Sequence, residues 1–369
     1  MRIFICGPTL YEKCHLGHAR IFIFFNFLIN FYRHIGYMPI ALMQLTDIDH
    51  KIYQKESSKG TLTNITDSFL SFLFEDLDNL GIIQNFTYSR VSDFLPLIKS
   101  NAIDILNSKN GYSYSGNIYL RITNDVNSPF KLSPEELDEM PIDISEGKFT
   151  QRDIIIWNSE NFYQNLKEKD FDSSIKQLLS SGIPGWHFQD HAVINNVFNG
   201  GYNIHGGARE LLYPHHEFID EISKKVTDTS NLLDKKWIHI GLLNNNSEKM
   251  SNSVGNTIFI SNILKKYNPN ILKLYFLSES YKNDINFSYT DLDRFDKIDK
   301  DITLYLLSSN VNSKKIVNLE HTLIKKFLNF LYGDYDTKSA ISFILDLLND
   351  ISNSFVVVWM LKILGLEYY

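Results

Sequence analysis

Cysteine is scarce in this 369-residue chain: only Cys6 and Cys14 are present. Two thiols cannot build a disulfide framework, and no apolar leader stands ahead of the first apolar segment, so the expectation is a cytoplasmic protein rather than a bridge-stapled secreted one. Long hydrophobic runs are missing too. The longest late one, Phe355 to Leu366, is interrupted by Lys362 and is too short to span a bilayer, so it reads as a core helix and no membrane partner is expected. Positive charge is not in excess: 36 Lys and Arg against 43 Asp and Glu give a net charge of −7, with a pI near 5.9. That argues against a strongly basic nucleic-acid binder and leaves only a local basic face to guide a phosphate backbone. What the chain does hold is core-forming side chains, 44% hydrophobic and 14% aromatic, enough for two or three packed units.

The first eighteen residues, MRIFICGPTLYEKCHLGH, organise the rest. Arg2 to Cys6 is an apolar run of strand length, Gly7-Pro8 is expected to break it, and a long aromatic-rich helix closed by Gly36 follows. Strand, turn and helix start make the first crossover of a nucleotide-binding α/β sheet, where a helix N-terminus favours phosphate. His15 and His18 sit where they could reach that anion, Gly17 lets the backbone approach it, and imidazoles can donate to a phosphate gaining charge. Two histidines three apart can equally do no more than cap the helix.

Pro39 to Thr46 reads as a second buried strand that runs into TDIDHK, which places Cys6 and Thr46 at one carboxyl edge of the sheet. Asp47 and Asp49 fit a site edge or a solvated strand end. Ser58 to Leu80 carries a helical pattern stopped by Gly81, and Phe94 to Leu179 is less regular, with GYSYSGNIYLRI, a turn at SPEELDEMP and the run RDIIIWN. This stretch is read as an insertion between sheet halves, and the sheet is expected to resume at SGIPGWHFQDHAVINNVF. In NIHGGARELLYPHHEF, Gly206-Gly207 can let the backbone lie against a nucleotide, and Glu210 can hold a hydroxyl. Trp186 can wall a small side chain or be plain core, and the glycines can be an ordinary turn.

These motifs together resemble cysteinyl-tRNA synthetase, a class I family whose signatures are HIGH and KMSKS. HLGH matches the first and KMSNS the second; CGPTLYEKCHLGH, TDIDHK, GWHFQDHAV, HGGARELLYPHHEF and GDYDTKSAISFILDL resemble further family segments. The resemblance implies an α/β fold: a Rossmann-type parallel-sheet catalytic domain over residues 1–257 with a connective insertion at about 94–179. A linking region at 258–290 and an α-helical bundle at 291–369 would follow, without the anticodon-binding domain of most cysteinyl enzymes. It further implies activation of an amino acid, cysteine first, to an aminoacyl adenylate with ATP and Mg2+, then transfer to the acceptor end of a tRNA.

In the roles implied by the resemblance, His15, His18 and Lys249 stabilise phosphates. Gly17, Gly206, Gly207, Glu210 and Ser251 complete ATP binding, and Cys6, Thr9, Thr46, Trp186 and His215 shape the amino-acid pocket. The family grips the substrate thiol with zinc held by two cysteines, a histidine and a glutamate. Cys6 and His215 match two of these positions, whereas Asp190 replaces the second cysteine and Ile219 the glutamate. A Cys6–Asp190–His215 zinc site, with His191 as a substitute ligand, stands beside a metal-free pocket in which the buried Asp190 carboxylate needs a partner. Asn252 replaces the second KMSKS lysine and brings no charge, which should weaken the loop. Mycothiol cysteine ligase, which joins cysteine to an amino sugar and carries PHHEF, is a second resemblance. A non-catalytic paralogue that binds nucleotide, tRNA or protein is a third reading. The sequence leaves the oligomeric state open.

Overall fold

A computed structural model describes residues 1–52, 62–122, 147–159, 182–226, 235–251, 254–309, 319 and 321–368. In chain order the elements begin β1 (Arg2–Thr9), α1 (Leu16–His34), β2 (Ile40–Thr46), α2 (Leu62–Asn79), β3 (Thr87–Arg90) and α3 (Leu95–Leu106). Then come β4 (Gly111–Tyr114), β5 (Asn117–Leu120), β6 (Ile154–Asn158), β7 (Ile183–Pro184), α4 (Trp186–Phe198), β8 (Ile204–Ala208), α5 (Glu217–Val226) and β9 (Lys236–Ile240). The remainder is β10 (Leu243–Asn245), β11 (Glu248–Lys249), α6 (Ile260–Leu264), α7 (Pro269–Leu277), β12 (Ile285–Asn286), α8 (Tyr289–Ser308), α9 (Thr322–Asp334), α10 (Thr337–Leu347) and α11 (Ser354–Ile363). The chain folds as two compact units, one of residues 1–13, 40–72 and 87–238, the other of 14–39, 73–86 and 239–369.

The first unit is built on a five-stranded sheet in the order β3-β2-β1-β8-β9. β1 pairs in parallel with β2 and with β8, and β2 in parallel with β3. β1 and β2 are buried along nearly their whole length, as the apolar runs IFIC and ALMQLT require of a sheet covered on both faces. The strand order reverses at β1, so the carboxyl ends of β1 and β8 form a topological switch point, the usual ligand crevice of such sheets. Cys6 is at that end of β1, and Gly206 pairs with Ile5 from β8.

Three expectations need correction here. β1 does not break at Gly7-Pro8 but runs on to Thr9, with its register to β2 shifting between Cys6 and Thr9. A Cβ on Gly7 would stand 2.1 Å from the Gln44 carbonyl oxygen, so glycine lets the strand press on β2 where Pro8 offers no N–H. The stretch from Phe94 is not all short alternating segments: it opens with α3, started by Pro96 and burying Leu95, Ile98, Ala102 and Ile105 on one face. SGIPGWHFQDHAVINNVF is mainly α4; its only strand residues belong to β7, at the edge of a four-stranded sheet β4-β5-β6-β7. The run RDIIIWN supplies β6. The expected turn at SPEELDEMP lies outside the described residues, as do residues 58–61 of the expected second helix.

The second unit is mostly helical. α1 is rich in Phe and Ile, which are mediocre helix formers, so packing rather than propensity holds it: thirteen of its residues are buried. Phe24, Phe27 and Phe31 meet Tyr335 at ring-centroid separations of 6.1 to 6.4 Å. Burying each such ring contributes roughly 2 to 3 kcal/mol. Gly36 follows the helix with φ +94°, as its closing role requires. α8 to α11 include the late apolar run, which is a buried helix. No described helix is long and apolar enough to cross a membrane.

Candidate active site

The signature HLGH lies in the second unit and caps its own helix. His15 is the N-cap of α1, and its Nδ1 accepts from Gly17 N at 3.0 Å; His18 Nδ1 accepts from His15 N at 3.2 Å. The pair forms a reciprocal capping box, with ring centroids 4.1 Å apart. An Nδ1 that accepts carries no proton, so in the neutral rings both protons lie on Nε2. Burial, then the neighbouring His15, lowers the His18 pKa to about 3, which keeps this ring neutral. Capping and anion binding are therefore compatible: the cap fixes the tautomer that gives each ring an Nε2–H donor.

Lys249 and Ser251 are in the same unit. Lys249 is exposed on β11, opposite Asn244 of β10. Asn256 braces the segment, donating from Nδ2 to Lys249 O at 3.0 Å and accepting at Oδ1 from Ser251 N at 3.0 Å. Asn252 lies outside the described residues.

In the first unit, Cys6 is the hub. Its Sγ donates to Asp190 Oδ2 at 3.1 Å and lies 3.2 Å from His216 Nε2, 3.4 Å from His205 Nε2 and 3.7 Å from His215 Nε2. His215 Nε2 is 3.1 Å from Asp190 Oδ2, and Gln44 Nε2 donates to Asp190 Oδ1. The partner required for a buried carboxylate is thus supplied three times over. Burial, and then the charge of Asp190, raise the Cys6 pKa well above its ordinary value, so the thiol keeps its proton. His187 Nδ1 lies 2.9 Å from His215 Nδ1, and burial lowers its pKa well below the usual value. With His215 donating from Nε2 to the carboxylate, its Nδ1 accepts from His187, and a directed chain runs from His187 through His215 to Asp190.

Of the other expected residues, Trp186 and Gly207 meet this hub, whereas Glu210 and His191 do not. Thr9 and Thr46 are register partners at the ends of β1 and β2. Trp186 is 40% exposed, so it is not plain core, and stacks on His215 at 4.2 Å. A Cβ on Gly207 would meet His216 Cε1 at 3.2 Å and Cys6 Cβ at 3.4 Å, so this glycine makes room for the cluster's own side chains. Glu210 is exposed in a short 3-10 turn (Arg209–Leu211). His191 is turned to Ser223 Oγ, 3.0 Å away, and does not substitute at Cys6: one residue on from Asp190 in α4, it points about 100° away. Ile219 is fully buried in an apolar cluster with Phe4, Val193 and Cys6. Gln44, His187, His205 and His216 were not singled out from sequence, although each sits one or two residues from a residue that was, within the motifs themselves.

Cys6, His215 and His216 each offer a ligand atom, all within 4.8 Å of one another and all buried. One thiol and two imidazoles suit zinc chemically.

Solved structures of similar fold are aminoacyl-tRNA synthetases. Methionyl-tRNA synthetase of Mycobacterium tuberculosis in complex with methionyl-adenylate superposes with a TM-score of 0.65 at 11% identity, over 98% of this chain and 89% of that one. A putative arginyl-tRNA synthetase of Campylobacter jejuni gives 0.62 at 14% identity, over 100% and 93%. The fold is that of class I synthetase catalytic domains. The family model described as tRNA synthetases class I (C) catalytic domain matches residues 1–297, and the chain belongs to that family. Cysteine--tRNA ligase of Acinetobacter baumannii (strain AYE) is 27% identical over 95% of this chain and 74% of its own length; that of Buchnera aphidicola subsp. Acyrthosiphon pisum (strain Tuc7) is 30% identical over 93% and 72%.

Proposed function

We propose that this protein activates an amino acid, cysteine first, by attack of its carboxylate on the α-phosphate of ATP, releasing pyrophosphate. The aminoacyl group of the adenylate is then passed to the acceptor end of a tRNA. The observation that carries this reading is the HLGH capping box, which leaves a neutral Nε2–H donor on His15 and on His18. Such donors stabilise charge that builds on phosphate oxygens as the bond to pyrophosphate breaks. Lys249 adds charge to the departing pyrophosphate, with Ser251 beside it. Gly17, Gly206, Gly207 and Glu210 bind the nucleoside and phosphates, and Mg2+ accompanies ATP. Residues 1–257 are proposed as the catalytic domain, with 258–290 linking to the bundle at 291–369.

The amino-acid pocket is proposed around Cys6, Thr9, Thr46, Trp186 and His215. The donor set fits a zinc ion, which Cys6, His215 and His216 would hold with Asp190 beside them; such an ion, when bound, prefers a thiol over a hydroxyl ligand. Without the ion, the chain's own contacts do the positioning. Asp190 orients the Cys6 thiol and the His215 ring, and Trp186 covers that ring. Because Ile219 is apolar core rather than a carboxylate ligand, a small amine as acceptor, as in mycothiol ligase-like chemistry, is the alternative to tRNA.

The test is ATP–pyrophosphate exchange on purified protein with each of the twenty amino acids. Exchange with cysteine is expected. No exchange with any of them, in protein shown to be folded, rejects the reading and leaves a nucleotide- or RNA-binding paralogue.

A further inference from the structure

Arg20 lies one turn into α1, directly after HLGHA, and is almost completely buried. Its guanidinium serves four backbone carbonyls. Nη1 donates to Gly241 O at 2.8 Å and Leu242 O at 3.0 Å; Nη2 donates to Ser280 O at 3.1 Å and Asn283 O at 2.6 Å. A buried cation is costly unless its donors are satisfied, and the five donors of the rigid arginine fork serve four carbonyls of two segments, where a lysine ammonium has three donors on one atom. The two segments are also tied to each other: Gly241 N donates to Tyr281 O and Leu242 N to Asp284 Oδ1, both at 2.8 Å. Only glycine fits at 241, where a Cβ would stand 2.2 Å from Asn283 O.

The next residue, Leu243, begins β10. Met250 N donates to Leu243 O at 2.9 Å, and Lys249 pairs with Asn244, so the strand bearing Lys249 hangs from the point that Arg20 holds. The far end of the same segment is also fastened near the start of α1: Leu16 N donates to Ile258 O at 2.9 Å, and His15 bridges Phe259. The hairpin is therefore held at its start, through Gly241-Leu242, to the helix that carries His18, and Ile258-Phe259 further along the chain are tied to the start of the same helix.

The geometry points to Arg20 as a positioning residue that fixes the Lys249 hairpin against the histidine pair and thereby sets the handling of ATP and pyrophosphate. This role rests on the proposed activation reaction. These contacts hold the backbone that leads into β10, so Arg20 acts on ATP through the placement of Lys249. A merely structural arginine would instead stabilise the whole unit without favouring one substrate.

The test uses the full chain carrying Arg20→Lys, with Gly241→Ala as a second variant that spreads the same two segments without altering charge. In pyrophosphate exchange, half-saturation by ATP should rise about tenfold while that by the amino acid stays within about twofold. Amides of Leu242–Met250 should exchange hydrogen about tenfold faster, while those of Leu292–Leu306 in α8 keep their wild-type rates. Equal shifts in both half-saturation values, uniform loosening of α8 and the hairpin, or an unchanged hairpin overturns the inference. If the Lys variant does not fold, Gly241→Ala decides alone. If the wild type exchanges with no amino acid, the activation reading fails, and hydrogen exchange still decides whether Arg20 holds the hairpin.

Discussion

The two units treat their histidines differently. In the second, His15 and His18 spend Nδ1 on the backbone of their own helix start, so a local turn of four residues fixes their tautomers. In the first, His187, His205, His215 and His216 are fixed by one another, by Cys6 and by Asp190, residues drawn from β1, α4, β8 and the segment before α5. A site made by local capping survives change elsewhere in the chain. A site made by long-range contacts is disturbed as a set when one member changes, and Asp190, which holds Cys6, His215 and Gln44 together, is the member on which that can be tried.

Asp190→Ala should break the first unit's arrangement most. It strands the Gln44 amide, the Cys6 thiol and His215 together, so a loss of about 3 kcal/mol in urea unfolding and abolished exchange are expected. A stability change below about 0.5 kcal/mol would show that the network is not shared. His18 separates cap from donor. His18→Asn keeps a short acceptor for His15 N but no Nε2–H, so exchange should fall about 100-fold at nearly unchanged melting temperature. His18→Gln can reach back to His15 N, as glutamine does at the third position of a capping box, and its Nε2 remains a donor, so stability should stay within about 0.5 kcal/mol with most of the rate retained. Lys249→Ala, on an exposed strand, should cost less than about 0.5 kcal/mol in stability and about tenfold in exchange.

Acid sensitivity is common to both units. Burial lowers the pKa of His18 to about 3, and of His191 and His239 to about 4. In the unfolded chain these rings titrate near 6.5, so below that pH the unfolded state takes up protons that the native state refuses. Stability should therefore fall as pH drops from about 6.5 toward 4, and His18→Asn should flatten that slope by a fraction of about 1.4 kcal/mol per pH unit. Urea midpoints at several pH values measure it; an unchanged slope would mean that His18 is solvated.

The legibility of the chain follows the same division. β1, β2, the aromatic α1 closed by Gly36 and the late buried helix were readable because period, length and Gly punctuation are local. So was HLGH, as a motif. The strand through Gly7-Pro8 was not, because its continuation depends on how closely the Gln44 carbonyl approaches. Nor was α4, whose burial leaves no clean polar face to reveal a helix: Phe188, Gln189, Asp190, His191 and Ala192 are all buried in succession. Gln44 and His216 escaped for a related reason, since only tertiary packing brings them to Asp190 and Cys6.

The donor tautomer of the HLGH pair is proposed to serve catalysis. Pyrophosphate exchange with cysteine, measured side by side on wild type and His18→Asn at matched melting temperature, tests it most directly. Robust wild-type exchange that falls about 100-fold in the variant is the predicted result. Equal exchange in the two proteins, or none in folded wild type, would contradict it.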